Sequence, residues 1–436
     1  MTALTTAIRL PRADVRGYLA AGGFIVLGLI DIFVFSGLFS TGHHGDAVFA
    51  LSLPGSGIQV PSVHVPAPPT ALALGLVTIA AGAVRGAADL RPGTIELTSL
   101  RKRLLIGIAL IGSLFALLCW ADASNPVGSM NLIDLLQGTV FAAIPLVLGA
   151  LSGLLCERSG VINIAIEGQL LTGAFAAAMV SSAVGATVGL WFGLLAGCLT
   201  GGLVGALLAV FAIKYLVDQI ILGVVINLLA LGMTNYLYDR VMVPYANFNT
   251  GNFFTPYKVP VLGDIPIIGP IFFDSSVILY IAYILLIVIQ VALFHTRWGL
   301  RVRAVGEHPT AADTVGIRVL LTRYRNVILG GMVAGIGGAY LTVGSTGQFS
   351  TGISSGFGYI GLACMIFGRW KPLGATAAAL LFGFARQLGQ ELQLLNVPIS
   401  PYLLAMLPYV ATIVAVAGLV GKVRAPAADG KPYIKA

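Results

Sequence analysis

The sequence predicts an all-α polytopic membrane protein, and three observations predict it. Of its 436 residues, 57% are hydrophobic and 10% charged, where soluble domains carry about 25% charged residues. A chain this apolar cannot cover a globule with polar surface. The apolar residues also gather in runs close to the roughly 20 residues that a helix needs to cross a bilayer. Finally, 55 glycines suit membrane helices, whose backbones approach closely across small side chains.

Twelve runs can be marked, at about 18–40, 70–88, 104–121, 131–155, 161–182, 188–212, 217–238, 276–294, 326–344, 356–368, 373–389 and 401–421. The first follows Arg9, Arg12 and Arg16; it is too long for a signal-peptide core and reads as a retained span. The run at 356–368 is short, and the one at 161 opens on polar residues. Half-length or broken helices of this kind are tolerated where they line a cavity or are buried in protein.

Basic residues set the orientation. With the N-terminus in the cytoplasm, Arg240, Lys258 and Arg386 are the only three of the 25 Lys and Arg residues that fall on the other side. Both termini are therefore expected to be cytoplasmic. The net charge of +8 is spread between apolar spans, without aromatic clustering, so it reads as a topology signal and not as a nucleic-acid surface.

The four cysteines, Cys119, Cys156, Cys198 and Cys364, lie in or beside apolar runs without C-x-x-C spacing, as packing residues do. His43, His44 and His64 sit in the proline-rich loop 41–69 and read as solvated, so no metal site is expected. The loop 240–275, with five prolines, is long enough to dock a partner outside and has room for a short edge helix or strand.

No G-x-x-x-x-G-K-[ST] phosphate loop occurs, nor H-E-x-x-H. No nucleophile shares a segment with a plausible base. The chain is read as a non-enzyme that binds no cofactor of its own. Any ATP that drives it is hydrolysed by a separate polypeptide.

The most informative polar stretch is Glu157-Arg158-Ser159-Gly160-Val161-Ile162-Asn163-Ile164-Ala165-Ile166-Glu167-Gly168. A charge near the bilayer centre costs about 2.5–3.5 kcal/mol on insertion scales, so it persists where it has a partner or a task. Glu157 and Arg158 are expected at the cytoplasmic surface, with Gly160 making a turn. Asn163 and Glu167 are four apart and would share one face of a helix. They either line the pathway and touch solute, or clamp neighbouring helices. Gln219, Asn227 and Asn235 recur at eight-residue intervals, near one helical stripe, and present neutral donors and acceptors suited to hydroxyl- or base-bearing solutes. Interhelical hydrogen bonding is the alternative. Gln348, with Ser345, Thr346, Ser354 and Ser355, is placed at a mouth or a re-entrant turn.

The largest inside loop, 295–325, carries Arg303, Gly306, Glu307, His308, Pro309, Ala311, Ala312 and Gly316. Pro309 fits the first turn of a short helix, Thr310 to Val315 supplies its body, and Gly316 fits its end.

Three motifs converge on one family. Glu157-Arg158-x-Gly160-Val161-x-Asn163-Ile164-x-Ile166-Glu167-Gly168 resembles the signature of permease subunits of bacterial nucleoside ABC importers, within the ribose-type and branched-chain amino acid permease superfamily. Arg303-Ala304-Val305-Gly306-Glu307-His308-Pro309-x-Ala311-Ala312-x-x-x-Gly316-Ile317 looks like their cytoplasmic coupling segment. Gly368-Arg369-Trp370-x-Pro372-Leu373-Gly374-Ala375 is similar to their late segment. The likeness covers about 104–421. It implies a ten-helix type II importer core with inverted repeats, preceded by an extension (1–103) with two helices and followed by a tail (422–436).

The same resemblance implies an ABC ATPase beneath the chain, a second and longer permease beside it, and an extracytoplasmic solute-binding lipoprotein above it. The setting it implies is the lipid of the bacterial cytoplasmic membrane. Nucleosides are the expected cargo, with a simple sugar or a branched-chain amino acid as alternatives in the same architecture. An ion-coupled secondary transporter, with Asp31, Glu167, Asp218 and Glu391 as coupling carboxylates, is the competing class.

Overall fold

A computed structural model describes residues 15–36, 45–52, 60–90, 98–123, 129–410 and 424–435. Arg9, Arg12, His43, His44 and the end of the run 401–421 lie outside them. The protein is a predominantly helical membrane protein, with a few short strands where an all-α chain was expected. Among the described residues, seven helices are long and apolar enough to cross a bilayer, and Ala21–Phe35 and Phe357–Phe367 are shorter apolar helices.

Two compact units divide the chain, Met1–Ile133 with Glu391–Pro401, and Asp134–Gln390 with Tyr402–Ala436. In the first, α1 (Val15–Ile30), α2 (Ala67–Leu90) and α3 (Ser99–Ala123) pack together. Part of the proline-rich loop is ordered here, which its composition did not suggest. Strands β1 (Asp46–Ala50), β2 (Val63–Pro66) and β3 (Met130–Asn131) form a sheet of order β2-β1-β3. The Asp122 carboxylate ties it to α3, accepting from Val48 N at 2.5 Å and from Met130 N at 2.6 Å. Asp31 is fully buried, and its carboxylate accepts the Ser113 hydroxyl at 2.6 Å. A buried polar group is cheap only when it is bonded.

The second unit begins with α4 (Leu132–Glu157), α5 (Ile166–Val184), α6 (Ala186–Ala209) and α7 (Gln219–Leu237). A loop region then carries β4 (Tyr257–Lys258), α8 (Ile268–Phe273) and β5 (Asp274–Ser275), with β4 and β5 paired antiparallel. This is the short edge structure anticipated for 240–275. Next come α9 (Val277–His295), α10 (Arg297–Glu307), α11 (Pro309–Thr314), α12 (Val319–Leu341), α13 (Phe357–Phe367), α14 (Pro372–Leu394) and α15 (Pro401–Ala405).

Glycine governs the centre of this unit. A Cβ on Gly201 would lie 2.6 Å from Gly335 Cα, and one on Gly173 would lie 2.6 Å from Gly335 O. The backbones of α5, α6 and α12 therefore touch directly, as small residues permit in membranes. That close packing holds the N-terminus of α5 in place, and the candidate site is built there.

Candidate functional site

The site begins where α4 stops. Gly160, at φ +88°, turns the chain in a left-handed conformation that suits glycine. Residues 161–163 are irregular, and α5 starts only at Ile166. The expectation of one helical face for Asn163 and Glu167 is thereby corrected: Asn163 precedes the helix and points elsewhere.

Asn163 is fully buried between α4 and α5. Its Nδ2 donates to Gln169 Oε1 at 3.0 Å and approaches Ser152 Oγ at 3.3 Å, and Gln169 Nε2 donates back to its Oδ1 at 3.4 Å. This network consumes the amide internally.

Glu167 faces α13. Its Oε1 accepts from Gly356 N at 2.8 Å and from Ser354 Oγ at 2.7 Å, while Oε2 accepts from Gly358 N at 2.7 Å. The first N–H groups of a helix have no partner inside it, and its N-terminus carries partial positive charge. Glu167 supplies both an acceptor and a countercharge to an 11-residue helix that begins after a turn. Gly356, at φ +82°, is the α13 N-cap residue and brings the peptide into line.

Asn227 and Gln219 do for α5 and its approach what Glu167 does for α13. Asn227 Oδ1 accepts from Gly168 N at 2.8 Å, and its Nδ2 donates to Ile164 O at 2.9 Å and to Tyr359 Oη at 3.1 Å. Gln219 Oε1 accepts from Ile162 N at 2.8 Å. These two members of the amide stripe are spent on backbone. Asn235 differs, with a buried Oδ1 that has no partner among the described residues. Gln348 is exposed, and its Nε2 donates to Asn249 O at 3.3 Å in the turn before α13. The structure thus gathers Glu167, Asn227 and Gln219 around two helix starts, and leaves Asn163, Asn235 and Gln348 outside that cluster.

Glu157 is 3% exposed, not at an open surface. Its Oε2 accepts the Trp370 indole N–H at 2.7 Å. Arg158 donates through Nε and Nη2 to Trp370 O at 2.9 and 2.7 Å, and burial pulls its guanidinium below its ordinary range. The first and third sequence motifs therefore meet through Trp370, whose backbone sits at a positive φ of 53°.

The 295–325 segment has the shape its residues predicted. Pro309 opens α11 at its first position, and Gly316, at φ +84°, ends the turn after it. Gly306 is buried where a Cβ would strike the Arg158 carbonyl. Arg303 stacks over Phe294, at 5.2 Å from its centroid. Glu307, His308 and Ala311 are exposed, whereas Ala312 is 3% exposed and packs inward against Val305, Val319 and Tyr433.

Among the described residues, seven long apolar helices, with a half-length helix after the last of them that Glu167 caps, mark a multi-pass integral membrane protein. The chain belongs to the family described as branched-chain amino acid transport system / permease component, whose profile matches residues 135–417. It is 41% identical over 320 residues to the guanosine ABC transporter permease protein NupQ of Bacillus subtilis, covering 70% of this chain and 99% of that one. It is 37% identical over 318 residues to the nucleoside ABC transporter permease protein NupC of Lactococcus lactis subsp. cremoris, again covering 70% and 99%. The putative glucose ABC transporter permease protein TsgC13 of Haloferax volcanii is 32% identical over 268 residues, covering 61% of this chain and 80% of that relative. No solved structure matches the chain.

Proposed function

We propose that this protein is the membrane permease subunit of an ATP-driven importer of nucleosides in the bacterial cytoplasmic membrane. One observation carries the cargo assignment: the relatives named for guanosine and nucleosides match over 99% of their length. In this reading residues 1–103 are an extension, 104–421 the permease core of ten helices in inverted halves, and 422–436 a tail, with both termini cytoplasmic. An ABC ATPase docks against the exposed face of α11. A second, longer permease and a solute-binding lipoprotein complete the importer; relatives named NupP and NupB, from the same two organisms, fit the place of the second permease.

The geometry supports a passive scaffold more than an ion-coupled carrier. Glu167 is held by three donors at the start of α13. Asp218 caps α7, accepting from Ile220 and Ile221 N at 2.9 and 3.0 Å, and Asp31 holds Ser113. Glu167 and Asp218 have structural occupations, and Asp31 is engaged through Oδ2 alone. In the transport cycle, ATP-driven closure of the ATPase pair displaces α11, and the movement reaches the 157–168 segment through Gly306 and Arg158. The capped start of α13 then moves with α5 as one piece.

A sugar is the second reading, favoured by the likeness to a relative named for glucose. Uptake of labelled guanosine and labelled glucose by cells carrying or lacking this chain separates the two. Guanosine uptake that depends on the chain and is not competed by glucose supports nucleosides; the reverse pattern assigns sugar.

A further inference from the structure

Residues 424–435 run back across the coupling segment and touch three parts of it within seven residues. Ala428 N donates to Gly306 O at 2.9 Å, and Ala427 N donates to Glu307 Oε2 at 3.2 Å, both at the end of α10. Tyr433, 7% exposed, packs with Val305, Ala312 and Val319, and its hydroxyl bonds the Asp313 side chain. Arg323, buried in α12, donates from Nη1 to Lys431 O at 3.0 Å.

The same stretch reaches the 157–168 segment. The Asp429 carboxyl hydrogen-bonds that of Glu157. Gly430, at φ +72°, sits where a Cβ would lie 2.6 Å from Ile162 Cδ1. A six-residue helix has no stability of its own, since isolated helices below about 12–15 residues are marginal in water. The position of α11 therefore depends on what packs against Ala312, and Tyr433 is part of that packing.

We infer that residues 427–433 form a strap that fixes α11 to the 157–162 loop and to α12, with Tyr433 and Asp429 as positioning residues for transport coupling. This rests on the permease reading: a displacement of α11 by a docked ATPase is passed inward through the strap as well as through Gly306. Without it, only the Gly306 contact carries the movement of α11 inward.

The test uses the full importer in proteoliposomes and, separately, the chain itself. Tyr433→Ala is expected to leave ATP hydrolysis by the complex at or above the wild-type rate while uptake per ATP falls tenfold or more. Tyr433→Phe, which keeps the packing and loses only the hydroxyl, is expected to restore uptake to within about twofold. In the chain alone, tryptic cleavage after the exposed Arg318 should quicken several-fold in Tyr433→Ala and not in Tyr433→Phe. If Tyr433→Ala does not fold, Tyr433→Leu is read in its place. Unchanged uptake per ATP with unchanged cleavage in Tyr433→Ala overturns the strap. Absence of ATP-dependent uptake in the wild-type complex overturns the permease reading instead, and the cleavage result then decides the strap alone.

Discussion

Glu167 caps α13 from another helix: its Oε2 accepts the Gly358 N–H at 2.7 Å, across 191 positions of sequence. The two residues are also in backbone contact, because a Cβ on Gly358 would lie 2.5 Å from Glu167 Cα. Charge and close approach belong to one joint, and each half of it can be altered separately.

Removing the charge tests the first half. Glu167→Gln keeps the shape and loses the anion that three donors face. Hydrogen bonds to charged groups contribute about 1.5–3 kcal/mol, so the variant is expected to lose about that much stability. Thermal unfolding of the solubilised protein measures this, and an unchanged midpoint argues against the cap. Solute uptake is expected to fall alongside it.

Adding a methyl tests the second half. Gly358→Ala drives a carbon into the Glu167 backbone, and overpacking of this kind costs about 1–3 kcal/mol. The expected result is a lower unfolding midpoint together with faster amide exchange at residues 356–360. Wild-type exchange there would mean that α5 and α13 are not in contact.

Asn227 is engaged through both ends of its amide. Asn227→Asp keeps an acceptor for Gly168 N and loses the donors to Ile164 O and Tyr359 Oη. A buried group left unpaired costs about 1–3 kcal/mol. Uptake and stability are therefore expected to fall together, whereas a change in solute preference at full stability would assign Asn227 to solute contact instead.

Much of this was legible in the sequence, and what escaped did so for physical reasons. Apolar runs marked the helices because burial in lipid demands them, and Pro309 and Gly316 marked α11 because each has a fixed backbone preference. The partner of Glu167 was not legible, since nothing local in Gly356-Phe357-Gly358 points to a residue almost 200 positions earlier. Four-residue spacing misled at Asn163, because residues 161–163 after the Gly160 turn are irregular and α5 starts only at Ile166. Glu157 and Arg158 looked like surface charges because Trp370 and the tail, which cover or hold them, are distant in sequence. The amide stripe was real as a spacing, but its first two members are used by the 162–168 backbone.

The tail carries a dependence on pH. Burial pushes the Asp429 carboxyl up from 3.8 to about 6; the groups around it are the Glu157 carboxyl, the Arg323 guanidinium and, beyond Glu157, the Trp370 indole. A raised carboxylate pKa means that the docked tail binds its proton more tightly than the released one. Docking is then fully supported below about pH 4 and loses that support as pH rises through about 6. Amide exchange at residues 427–433, corrected for intrinsic rates, is expected to speed up between about pH 4 and 6. Asp429→Asn is expected to flatten that change, and an equal pH response in the variant would remove Asp429 as its cause.

In the proposed importer this chain conducts nucleosides only as part of an ATP-driven assembly. The direct measurement is accumulation of labelled guanosine in proteoliposomes, with the chain alone under an imposed proton or sodium gradient and with its ATPase, second permease and binding protein under ATP. ATP-dependent accumulation is expected from the complete assembly and none from the chain alone. Gradient-driven accumulation by the isolated chain would contradict it.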